Sequence, residues 1–207
     1  MNNKVNIAVL VSGGGTNLQA LIDAEKNKII RSGEIKLVIS SNKNAYALKR
    51  AEAAGIKTVV CEKGGCSQKE FEKGILSALR AADIEFIILA GFMSILSADF
   101  IGNYPDRIIN VHPSLIPSFC GEGFYGLRVH RAALEYGVKV TGATVHFVNE
   151  IPDGGKIIMQ RAVDIQENDT PENLQKRVME NAEWVILPAS AEKVCQKIKE
   201  EKANECV

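Results

Sequence analysis

Apolar runs of strand length alternate with segments of helical period through the first half of the chain: 6–11 then 17–26, 35–40 then 45–54, 57–61 then 69–82, and 86–90. Strand, helix and strand in succession make a βαβ unit, and a series of such units builds a parallel sheet with helices packed against it. After Asn110 the pattern changes. A helix at 126–136 precedes two long strand candidates, 138–149 and 156–165, separated by the turn Pro152-Asp153-Gly154-Gly155. Thr170-Pro171-Glu172 then reads as an N-cap followed by proline at the first helical position, opening a helix of mixed charge. No linker, repeat or low-complexity tract interrupts the sequence, so one domain over 1–207 is expected.

Composition narrows the partners. At 207 residues and 46% hydrophobic, the chain can bury one sizeable core. Lys plus Arg equals Asp plus Glu at 25 each, so no global field recruits nucleic acid or a membrane. Small-molecule substrates are expected, with a local site for any phosphate, on a monomer or homodimer. The five cysteines, Cys61, Cys66, Cys120, Cys195 and Cys206, are odd in number and form no C-x-x-C pair, which argues against a disulfide framework or structural zinc. Reduced thiols fit a cytoplasmic protein. The apolar stretch at 5–11 meets a glycine turn at once, so it reads as neither a signal peptide nor a spanning helix.

The chemistry concentrates around Asn110 and His112. The run Arg107-Ile108-Ile109-Asn110-Val111 reads as a buried strand, and side chains two apart on a strand share a face. Pro113 lacks a backbone donor and disfavours helix in the residue before it, so the polar pair falls at the strand's carboxyl end. Ligands bind at that edge in open α/β sheets. An amide beside an imidazole can serve one oxygen, which suits the oxyanion formed when a carbonyl is attacked. Asp153, about forty residues on, is the candidate carboxylate, although Asp before Gly is also a common turn former.

Gly13-x-Gly15 follows the first strand and suggests a dinucleotide fingerprint, but Leu18 stands at the third glycine position. The second strand ends in Ser40-Ser41-Asn42 with no ribose-binding acid. What remains is a loop whose N–H groups, with the Thr16 hydroxyl, meet a helix amino terminus and can hold a phosphate. His130 lies in the helix after the glycine-rich stretch and reads as structural or solvent-facing. Gly121, Gly123 and Gly126 make 120–126 readable either as a mobile lid or as a static surface loop.

Asn110-x-His112-Pro113-Ser114-Leu115-x-Pro117, Val145-His146-Phe147-Val148, Asp153-Gly154-Gly155 and Ser12-Gly13-Gly14-Gly15-Thr16-Asn17-Leu18 together resemble the folate-dependent formyltransferases, from about Ile7 to Pro188. The resemblance implies a Rossmann-like open sheet, mostly parallel with an antiparallel C-terminal part and helices on both faces. It implies transfer of a formyl group from 10-formyltetrahydrofolate, as co-substrate and without metal, to the amine of 5-phosphoribosylglycinamide in de novo purine biosynthesis. Asn110 and a protonated His112 would then stabilise the tetrahedral oxyanion, and Asp153 would keep His112 charged and relay a proton. Gly15, Thr16, Asn17 and Glu183 would bind phosphoribosylglycinamide, with its phosphate at the glycine loop and Thr16 and its ribose at Glu183. Met93, Ser94, Ile95 and Leu96 would line the folate pocket with Asn110 and the loop Asn149, Glu150, Ile151, Pro152 and Asp153, while His146 and Ser114 would support the site.

Four departures from the family pattern stand out. Ser94 replaces an arginine, Arg128 a histidine and Lys156 a proline, and the spacing from Arg177 to Glu183 is one residue longer than in many relatives. Relatives that formylate methionyl-tRNA, or hydrolyse formyltetrahydrofolate, would be expected to carry a further domain for which this length leaves no room. A non-catalytic folate or nucleotide binding module is the alternative of another class, and it would have no need of an oxyanion site.

Overall fold

β1 (Val5–Val11) buries all of its residues but Asn6, which marks it as the centre of a sheet covered on both faces. The computed structural model describes residues 4–205. In chain order β1 is followed by α1 (Thr16–Lys26), β2 (Gly33–Ser40), α2 (Tyr46–Ala53), β3 (Lys57–Val60), α3 (Gln68–Ala81), β4 (Phe86–Leu89) and α4 (Ala98–Ile101). Then come β5 (Ile108–His112), α5 (Leu127–Tyr136), β6 (Val140–Phe147), β7 (Ile157–Asp164) and α6 (Pro171–Val178). A π-helical segment, Met179–Glu183, leads into α7 (Trp184–Glu205).

The seven strands lie in the order β3-β2-β1-β4-β5-β6-β7. β1 to β5 are parallel, and β6 and β7 run antiparallel to their neighbours. This is the mostly parallel Rossmann-like sheet that the sequence predicts, and each expected strand forms with its ends shifted by only a few residues. Alternation along β1 divides the interior in two. Val5, Ile7, Val9 and Val11 join the larger core with side chains of α1, α2 and α7, whereas Ala8 and Leu10 join a smaller one with α3 and Phe100 of α4. Helices therefore cover both faces.

Strand order reverses between β1 and β4, so the loops after these two strands diverge and open a crevice at the sheet's carboxyl edge. They are tied at its base: Ser12 N donates to Gly91 O at 3.1 Å and Met93 N to Ser12 Oγ at 2.9 Å. At the antiparallel end, Asn110 pairs with His146 and His112 with Thr144 across β5 and β6. The turn after β6 is equally close-fitting. A Cβ on Gly155 would lie 1.7 Å from Phe147 O, so the turn that carries Asp153 can approach β6 only with glycine there.

Two features were not expected from the sequence. Ser97 caps the single turn of α4, accepting from Phe100 N, in a stretch to which the sequence analysis assigned no element. The π segment falls between Arg177 and Glu183, where the spacing is one residue long. A π turn takes up an extra residue without ending the helix.

Candidate active site

Asn110 and His112 project from the carboxyl end of β5 on one face, as period two requires, and the Asp153 turn closes over them. Asn110 Nδ2 lies 3.4 Å from Asp153 Oδ1, and His112 Nδ1 lies 3.4 Å from Asp153 Oδ2. Gly121 N donates to Asp153 Oδ2 at 2.9 Å. Asp153 itself sits at φ 55, a left-handed conformation uncommon for a residue with a side chain. Such backbone strain costs on the order of 1–3 kcal/mol and clusters at functional sites.

The tautomers follow from backbone acceptors. His112 Nε2 lies 2.9 Å from Phe119 O, and a carbonyl can only accept, so Nε2 carries the proton and Nδ1 is the nitrogen that titrates beside Asp153. His146 Nδ1 lies 2.8 Å from Phe147 O by the same logic. Its Nε2 lies 3.3 Å from Asn110 Nδ2 and 3.5 Å from Asp153 Oδ1. His146 thus touches both Asn110 and Asp153. Ser114 supports the site from further away: its hydroxyl donates to Ser118 O at 2.6 Å, and its carbonyl accepts from Thr144 Oγ1 at 2.7 Å, which fixes the turn after β5.

Burial and charge act on the His112–Asp153 pair in opposite directions. His112 is buried, and burial pushes its pKa below the ordinary imidazole value, because removing water penalises the cation more than the Asp153 carboxylate and the Phe119 carbonyl restore it. Asp153 thus favours the imidazolium, as expected, but against a larger opposing effect of burial. Burial also opposes charge on Asp153, but contact with His146 and His112 and the Gly121 N–H outweigh it and hold the carboxyl below its usual range.

Two cavities share the Asn110–Asp153 wall. One is a slot of about 130 Å³ with apolar walls from Leu89, Phe92, Leu96 and Val148, and it also meets Ser94, Ile95 and the run from Asn149 to Asp153. The other, about 580 Å³, is lined by Asn17, Met93, His112, His130, Gln175 and Glu183 among others. Met93 therefore belongs to the larger cavity, not to the slot with Ser94, Ile95 and Leu96. Met93, Ile95 and Ile151 are 58%, 67% and 60% exposed, an apolar group of side chains at these openings.

Glu183 is buried and accepts from Asn17 Nδ2 at 2.7 Å, and burial raises its pKa to about 6 against that hydrogen bond. The Asn17 Oδ1 is buried and unpartnered. Gly15 begins α1 in the left-handed region at φ 73 without a side-chain cap, leaving the helix amino terminus open. Thr16 is turned elsewhere: its hydroxyl meets Met179 Sδ at 3.8 Å and it lines a separate hollow with Arg50 and Trp184.

His130 was read as structural or solvent-facing, and the second alternative is excluded: it is fully buried in the wall of the larger cavity, both ring nitrogens lack partners, and burial with the charge of nearby His112 lowers its pKa to about 4. The available signal was its place beside Val129 and one turn before Ala133, on the buried face of α5. Arg128 points elsewhere, its guanidinium 4.8 Å from the centre of the Tyr125 ring.

Among the described residues, no group of three or more His, Cys, Asp or Glu side chains is placed to hold a metal ion, and no helix is long and apolar enough to cross a membrane.

Known proteins resemble this chain in sequence and fold. The sequence profile of the formyl transferase family matches residues 5–190. The trifunctional purine biosynthetic protein adenosine-3 of Gallus gallus is 46% identical over 193 residues, covering 93% of this chain, which spans only 18% of that protein's length. Phosphoribosylglycinamide formyltransferase of Escherichia coli (strain K12) is 38% identical over 185 residues, covering 89% of this chain and 84% of the relative. Among solved structures, glycinamide ribonucleotide transformylase 1 of Symbiobacterium toebii superposes with a TM-score of 0.88 at 37% identity, covering 95% of this chain and 90% of its own. Phosphoribosylglycinamide formyltransferase of Brucella melitensis gives 0.84 at 40% identity, covering 93% and 96%. With a family profile spanning residues 5–190 and the Escherichia coli relative matched along 84% of its own length, this chain belongs to the formyl transferase family.

Proposed function

We propose that the chain, as one formyltransferase domain over 1–207, transfers a formyl group from 10-formyltetrahydrofolate to the amine of 5-phosphoribosylglycinamide in the cytoplasm, as a step of de novo purine biosynthesis. The observation that carries this reading is the shared wall. Asn110 and Asp153 line both cavities, so a ligand in each would meet at these two residues. The slot's apolar walls suit the flat ring system of the folate, and 10-formyltetrahydrofolate brings an activated formyl carbon. On the other side, Glu183 and Asn17 suit ribose hydroxyls, and the uncapped start of α1 suits the phosphate.

The residues divide the work. Asp153 accepts hydrogen bonds from the neutral amine and aims its lone pair at the formyl carbon. As the new C–N bond forms, Asn110 Nδ2 donates to the developing oxyanion. The attacking nitrogen becomes acidic, and its proton passes by way of Asp153 to His112 Nδ1, the nitrogen left open by the Phe119 contact. The imidazolium so formed stabilises the oxyanion, then returns the proton to the departing folate nitrogen as the old C–N bond breaks. His112 is thus neutral at the start and end of the cycle and charged between.

The test is the ultraviolet change as formylfolate becomes tetrahydrofolate, followed with and without the ribonucleotide amine. Amine-dependent turnover with formylated product is expected. Formate release at the same rate without amine would replace transfer by hydrolysis, and no turnover with either would leave a binding module.

A further inference from the structure

α2 reaches the glycine loop through two consecutive carbonyls. Ala47 N donates to Gly13 O at 3.1 Å, and Arg50 Nε donates to Gly14 O at 2.9 Å. In a trans peptide the carbonyl and the following N–H point in opposite directions. Holding Gly13 O and Gly14 O toward α2 therefore turns the N–H groups of Gly14 and Gly15 away from it. Among the described residues, the N–H groups of Gly13, Gly14 and Gly15 have no acceptor. Consecutive N–H groups turned the same way form a concavity for an anion, here joined to the open amino terminus of α1.

The guanidinium is itself held. Arg50 Nη1 donates to Gln19 Oε1 at 3.2 Å, Gln19 Nε2 donates to Asp23 Oδ1 at 3.0 Å, and the Tyr46 ring lies 5.1 Å from the guanidinium carbon. Its orientation is thus fixed before any ligand arrives. A planar fork can bond Gly14 O and Gln19 at once, which an ammonium on a flexible stem reproduces only in part.

We propose that Arg50 is a positioning residue for the substrate's phosphate monoester, acting by setting the peptide planes of the glycine loop; this rests on the reading of that loop as the phosphate site. Arg50 does not touch the reacting atoms. Its contribution belongs to binding of the phosphorylated amine, not to the chemical step.

The experiment compares wild type, Arg50→Met and Arg50→Lys with the phosphorylated amine and with its phosphate-free riboside, together with binding of a folate analogue and thermal melting. For Arg50→Met, KM for the phosphorylated amine should rise about tenfold with kcat within about twofold, the signature of lost binding shared by ground and transition states. KM for the riboside and affinity for the folate analogue should not move, and Arg50→Lys should recover part of the loss. An equal rise for both amines, or an unchanged KM for the phosphorylated one, would overturn the proposal. A wild-type enzyme that turns over both amines alike would overturn the phosphate reading of the loop and this inference with it.

Discussion

Asp153 Oδ2 approaches His112 at Nδ1, 3.4 Å away, and not at the Nε2 that Phe119 O engages at 2.9 Å. The carboxylate therefore faces the nitrogen whose protonation changes. His112 already titrates below its ordinary value because of burial, with Asp153 opposing that shift. Asp153→Asn removes the opposing charge at nearly constant volume, so the His112 midpoint should fall further and the acidic limb of the rate profile should move to lower pH. Titration of His112 by NMR, with kinetics in parallel, checks this. A midpoint that stays in place would dissociate the two residues even if the variant were inactive.

Removing an oxyanion donor should act on turnover rather than on assembly. His112→Ala is expected to lower kcat by about a hundred- to a thousandfold while retaining ribonucleotide binding. Asn110→Ala should give a comparably lower plateau with a smaller change of pH profile, since the Asp153–His112 contact survives. Turnover of His112→Ala within threefold of wild type, roughly 0.6 kcal/mol in barrier, would take the imidazole out of the mechanism.

Glu183 trades stability for its position. Its folded pKa of about 6 lies above the ordinary carboxyl value of 4.5, so the native state binds the proton more tightly than the unfolded chain does. The associated stability is complete below about 4.5 and is lost as pH rises through about 6. Glu183→Gln should therefore melt higher than wild type at pH 8, by on the order of 2 kcal/mol, and the advantage should vanish near pH 4. Its affinity for the ribonucleotide should drop. Melting curves at the two pH values decide the matter, and equal differences at both would reject a buried charge at 183.

The three glycines of the loop should separate experimentally. A Cβ on Gly15 would lie 2.6 Å from Ala47 Cβ at a positive φ, so Gly15→Ala strains the fold itself. A Cβ on Gly14 meets nothing within 4 Å, so Gly14→Ala should melt like wild type yet bind the phosphorylated amine less well than a folate analogue binds. Unchanged binding of the phosphorylated amine by Gly14→Ala would move the phosphate elsewhere.

Legibility tracked the range of the forces involved. Asn110 and His112 could be placed at a strand end because period two and Pro113 act over a few residues, and Asp153 could be joined to them through a recurrent motif. The state of His112 could not be read, since desolvation depends on what Phe119, His146 and the Asp153 turn do in space. The spacing of His130 from Ala133 marks the buried face of α5, but not the cavity that this face meets. Thr16 and Met93 show a finer limit: their segments were found, but the direction of one side chain depends on packing against the π segment or the opposite cavity wall. The π segment was visible only as a spacing one residue too long, because α and π turns draw on the same residues and differ in hydrogen-bond register.

The π segment also separates what must stay fixed from what can be adjusted. α7 packs on α1 and on β1, β2, β6 and β7, and Met179–Glu183 lies against β6 and β7 at its start. A surplus residue absorbed within Met179–Glu183 leaves the long C-terminal helix seated as before, while the carboxylate just ahead of Trp184 is still delivered to the cavity. The wide turn behaves as an expansion joint. Changes in chain length on its ribose-facing side need not propagate into the frame that carries the sheet.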